Sequence, residues 1–110
     1  MTDEKGLETL QVWQKSLAFA VHVCKDILSK IPAQEKWVLI DQLRRSVQSI
    51  PANIAEGYGR FYFQESIRFC YTARGSLEEA FSHITLAHQL GYFDDETYKG
   101  LNNQITKFER

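Results

Sequence analysis

The residue types able to do chemistry in this chain are few and widely spaced. A di-metal centre in a helical bundle needs Glu-x-x-His on two helices plus two further glutamates, so that each ion receives nitrogen and carboxylate ligands from the core. No Glu-x-x-His occurs here. Glu79 and His83 come closest, but they stand four apart on a polar face and read as a solvated helix pair. His22 is expected on the surface and His88 at the border of the core. Cys24 and Cys70 lie far apart with no Cys-x-x-Cys or Cys/His spacing, so they predict neither a zinc site nor a disulfide framework and read as buried free thiols. Gly57-Tyr58-Gly59 is a poor phosphate loop, because no strand precedes it and the Walker lysine and serine are missing. These residues predict no catalytic set, no cofactor and no metal, hence a protein that is not an enzyme.

What remains is polar and cationic. Gln42, Ser46, Ser49, Asn53, Glu56 and Arg60 fall along one flank of a single helix, provided that helix continues past Pro51. Arg74 sits at the edge of an apolar stripe further on, where a desolvated guanidinium needs a carboxylate or carbonyl partner. Glu56 is the favoured partner, so Asn53, Glu56 and Arg74 are expected to form a structural polar network; a ligand role for the same residues is the alternative. Arg44, Arg45, Arg60 and Arg68 are the candidates for phosphate contacts with RNA. Asp41 stands three and four residues before Arg44 and Arg45 and can neutralise both on the helix surface, which favours a solvated face for that doublet.

The elements that must position these residues are helices. Apolar side chains recur at Leu10, Trp13, Leu17, Val21, Cys24, Leu28 and Ile31, which predicts a helix over residues 9–30 ending before Pro32. A second series, Trp37, Ile40, Leu43, Val47, Ile50 and Ile54, predicts a helix over 34–56. Pro51 removes one backbone donor and crowds the carbonyl of Val47, so that helix should kink or break near Ile50 and then resume. The third helix carries Ile67, Cys70, Ala73, Leu77, Phe81 and Ile84 on one side and should stop at Gly91. Asp94 can cap the fourth, whose stripe is Tyr98, Leu101, Ile105 and Phe108. Short connections force successive helices to lie antiparallel, which predicts an all-α, up-down four-helix bundle with helix two kinked at Pro51.

A single bundle buries one face of each helix, yet Val12, Phe19 and Val23 cluster opposite the main stripe of helix one. With Phe69, off the stripe of helix three, and with Tyr58, Phe61 and Tyr62, they are expected to form a self-association surface; the alternative is a wide core that absorbs them.

At 110 residues the chain fits one domain, with residues 1–8 expected to be a flexible N-terminal stretch. Hydrophobic residues make up 44% and charged residues 25%, an ordinary globular composition without a run long enough to span a bilayer. No membrane partner is expected, and the acidic, polar start points to the cytoplasm. The net charge of −1 lacks the basic excess typical of a dedicated nucleic-acid domain.

Four segments together resemble the four-helix bundle family of proteins encoded within intervening sequences of 23S ribosomal RNA genes, also labelled S23 ribosomal proteins. They are Val12-Trp13-Gln14-Lys15, Gln42-Leu43-Arg44-Arg45-Ser46, Ser49-Ile50-Pro51-Ala52-Asn53-Ile54-Ala55-Glu56-Gly57 and Ala73-Arg74-Gly75-Ser76-Leu77-Glu78-Glu79. The resemblance covers almost everything from Leu10 to Phe108. It implies a bacterial homopentamer of four-helix bundles, with RNA or a ribonucleoprotein as the partner beyond the chain itself. It also relates the chain to the accessory variability determinant of diversity-generating retroelements, which binds nucleic acid through a strongly basic surface. The near-neutral charge departs from that pattern. Relatives often place an aromatic and then glycine early in helix two, where this chain has Trp37-Val38.

Overall fold

Apolar residues spaced by three and four along most of the chain can be buried only by helices packed on one another, and helices are what form. The computed structural model describes residues 6–59 and 63–109. A 3-10 turn, Leu7–Thr9, leads into helix α1, Gln11–His22, which continues as a π-helical segment, Val23–Ile27, and a 3-10 turn, Leu28–Lys30. Ile31 is extended, as the residue before Pro32 must be. A second 3-10 turn (Ala33–Glu35) and a second π segment (Lys36–Ile40) precede helix α2, Asp41–Tyr58. Helix α3 covers Phe63–Gln89 and helix α4 covers Asp95–Glu109. No strand occurs among the described residues. Arg60, Phe61 and Tyr62 lie outside the described residues, as does most of the expected flexible start; of the rest of that start, Gly6 is buried and Leu7 begins the 3-10 turn.

Side-chain bonds between helices set their directions. Ser49 meets Ser76 at 2.7 Å and the Ser66 hydroxyl donates to the Gly57 carbonyl at 2.8 Å, so α2 and α3 run antiparallel. Thr85 meets Tyr98 at 2.8 Å and His88 meets Asp95 at 2.7 Å, which makes α3 and α4 antiparallel as well. With α1 packed on both α2 and α4, the four-helix bundle closes. The α2 helix does not break at Pro51 but runs through it, with the proline ring buried.

Helix α1 corrects the expected orientation. Phe19 and Val23, read from sequence as a partner surface, are completely buried, and Phe19 packs its ring 5.6 Å from that of Phe108. The wide-core alternative is the one that holds for these two. Leu17 and Val21, from the longer stripe, are instead 39% and 47% exposed. Small residues explain the inversion: fully buried Ser16 and nearly buried Ala20 complete the Phe19/Val23 face, and the Ser16 hydroxyl is satisfied by the Trp13 carbonyl at 3.0 Å. The π segment turns less per residue than an α-helix. That lag carries Leu28, which started on the exposed stripe, into the core; Ile31, extended beyond the helix end, is buried as well.

Helix ends follow local chemistry. Gly91, at φ +82°, ends α3, with Tyr92 N–H bonded to the Ala87 carbonyl at 3.0 Å and Gly91 N–H to that of His88 at 2.9 Å. Asp94 caps α4, its carboxylate accepting from Thr97 N–H at 2.8 Å. At 1.5 Å per residue α3 is roughly 40 Å long and α4 only about 22 Å. Counting on from the Thr85–Tyr98 and His88–Asp95 contacts, Phe108 stands level with Gly75. The N-terminal half of α3 therefore has no α4 beside it.

Candidate interaction surfaces

The motif at residues 49–57 builds the closest helix-to-helix seam. Asn53 donates its side-chain amide to the Ser49 carbonyl at 2.8 Å and to the Ser49 hydroxyl at 2.9 Å, and that hydroxyl meets Ser76 across the seam. One turn further, a Cβ on Gly57 would stand 3.0 Å from Phe69 Cβ and 3.1 Å from the Ser66 carbonyl oxygen, so a larger residue there would press α2 and α3 apart by a few tenths of an ångström. Phe69 belongs to this seam and is half-buried there. The expected Glu56–Arg74 pair does not form: both residues are exposed, and the ion pairs among the described residues do not join them. The polar network runs from Asn53 through Ser49 to Ser76 instead. Ser76 was legible only as part of the Ala73–Glu79 segment, because a lone serine carries no signal of a cross-helix bond.

Where α4 ends, a cleft of about 800 Å³ opens. Ile50, Ile54 and Leu77 floor it, Leu10 and Val12 wall one side and Phe108 closes one end. Tyr58, Ser66, Cys70 and Arg74 line it as well. Val12, expected in a self-association surface, lines this cleft and is 36% exposed. Cys70 is exposed, not buried, and Cys24 is half-buried.

A second surface is the outward face of α1. Trp13, Leu17, Ala18 and Val21 form a shallow apolar depression bordered by His22, Lys25 and Asp26. Trp37 and Val38, in the π segment before α2, are 79% and 65% exposed, with the Lys36 ammonium 5.0 Å from the centre of the Trp37 ring.

The arginines are dispersed. Arg45 is paired with Asp41 at 3.2 Å, as the spacing predicts, whereas the ion pairs among the described residues leave Arg44 and Arg68 out. From the α2–α3 register, Arg44 and Arg68 stand roughly 18 Å apart along the bundle axis. Arg60 lies outside the described residues. Glu79 and His83 form an exposed pair at 3.3 Å, and His88 stacks on Tyr98 with ring centres 4.2 Å apart at the edge of the core. Among the described residues no three His, Cys, Asp or Glu side chains converge where they could hold a metal ion, and no helix is long and apolar enough to cross a membrane.

The antiparallel bundle, its Ser-Ile-Pro-Ala-Asn-Ile-Ala-Glu-Gly seam and the Ala-Arg-Gly-Ser stretch opposite are matched by one family model, that of the 23S rRNA-intervening sequence protein, over residues 8–110. The chain belongs to that family. A solved structure described as a protein with unknown function from the S23 ribosomal protein family of Bacteroides thetaiotaomicron VPI-5482 superposes with a TM-score of 0.78. The two share 28% identity over 88% of this chain and 90% of that one. A comparison with curated proteins finds no match.

Proposed function

We propose that the chain is a non-enzymatic, self-associating helical-bundle scaffold, and that its assembly is the homopentamer the family resemblance implies. The observation that carries this reading is the outward face of α1, where Trp13, Leu17, Ala18 and Val21 align in an apolar depression. Apolar side chains aligned over successive turns on a helix that already buries its opposite face are what a second copy covers. Light scattering tests it: the purified chain should have the mass of an oligomer at micromolar concentration, and Leu17→Asp with Val21→Asp should reduce that mass without loss of helicity. A monomeric wild type rejects the reading.

A second reading makes RNA or a ribonucleoprotein the scaffold's partner. The name of the family supports it, together with exposed Arg44, Arg45 and Arg68. Three phosphate contacts to a single strand predict a slope of about −2 in log K against log salt, roughly a twentyfold loss between 50 and 200 mM. The net charge of −1 and the spacing of the arginines instead favour a protein partner with no nucleic acid. Salt-independent binding, or none at low salt, selects that alternative. Localisation in the cytoplasm belongs to the same proposal.

A further inference from the structure

We propose that the cleft beyond the end of α4 binds an amphipathic carboxylate, an alkyl chain bearing one anionic head, independently of self-association. The shape of the cleft comes from helix length: α2 and α3 continue for several turns past the level of Phe108, while α1 closes one side with Leu10 and Val12. The result is a bounded apolar trough, shut at one end by the Phe108 ring and open along the side where a fourth helix would lie.

Size bears on the occupant. The cleft holds about 800 Å³, which suits a ligand of drug or lipid-chain size. Charge decides the head group. Arg74 lines the cleft, and the ion pairs among the described residues do not include it. Among the described residues that line the cleft it is the one cation, and none of them is acidic. Its planar fork matches a carboxylate, and Tyr58 lines the same cleft.

The test uses the full chain and dodecanoate below its micelle-forming concentration. Calorimetry should show saturable binding that tightens about two- to fourfold per added methylene from octanoate to dodecanoate, as expected for partial burial of each group. Arg74 is exposed, so Arg74→Gln should lower affinity by only about two- to fivefold, and it should abolish the preference for dodecanoate over dodecanol. Cys70→Trp, at an exposed lining position, should fill the trough and remove binding while helicity is retained. Dodecanoate should slow alkylation of Cys70 but not of Cys24, which lies outside the cleft. Equal protection of both thiols, affinity independent of chain length, or a carboxylate preference that survives Arg74→Gln overturns the proposal. So does protection that appears only with oleate-bearing vesicles, which assigns the effect to a membrane surface. Protection that rises with protein concentration and no ligand gives the cleft to a second copy.

Discussion

Phe19 and Leu17, two positions apart on α1, carry opposite roles. Phe19→Asp places an unpaired charge where a fully buried ring now packs on Phe108; the lost ring alone costs about 3–5 kcal/mol, a large share of a small domain's stability. Circular dichroism should show loss of most helical signal for Phe19→Asp and none for Leu17→Asp. Two other residues make stability depend on pH. The Thr97 backbone N–H draws the Asp94 carboxyl below its ordinary value of 3.8, so this cap stabilises above that value and its contribution disappears as pH falls through the lowered one. The bond from the Tyr92 hydroxyl to Glu35, 2.6 Å long, raises the tyrosine above its ordinary value of 10.0. That contribution is complete below 10.0 and is lost as pH rises through the raised value. Thermal melts should show Asp94→Asn removing part of the acid-side loss, and Tyr92→Phe part of the alkaline-side loss.

At the scale of elements, the glycines of the helices separate into two kinds. Gly75 in α3 and Gly100 in α4 have no atoms within 4 Å of an added Cβ, so alanine at either should stabilise by about 0.5–1 kcal/mol through helix propensity alone. Gly57→Ala gains the same propensity but must push Phe69 Cβ and a backbone oxygen out of contact, so urea denaturation should show a net loss of about 1–2 kcal/mol. What could be read from sequence follows the same division between local and relational causes. The Gly91 stop and the Asp94 cap were legible because each is written in two or three neighbouring residues. The core of α2 was legible because Leu43, Val47, Ile50 and Ile54 are large and regularly spaced. Helix α1 was not, since half of its buried face is Ser16 and Ala20 and its register shifts inside the π segment. The cleft was illegible for a different reason: it exists because α4 is shorter than α3 in a particular register, which no single segment encodes.

At the scale of the molecule, a bundle measuring 48 × 24 × 20 Å presents one apolar helix face, one apolar trough and a dispersed set of arginines. The face and the trough lie on different sides of α1, so occupation of one does not require the other. Leu17→Asp should therefore lower the mass seen by light scattering while leaving the affinity for dodecanoate, measured by calorimetry, unchanged.

The mismatch in length between α3 and α4 also divides the bundle in time. Beyond Gly75 α3 has both α2 and α4 beside it, whereas the stretch between Ser66 and Arg74 rests on α2 alone of those two. Local opening should release the amides of the second stretch well before global unfolding releases those of the first. Native-state hydrogen exchange is then expected to show a step along one uninterrupted helix, with slow, denaturant-sensitive amides from about Ser76 to Ala87 and faster, denaturant-insensitive ones before Gly75.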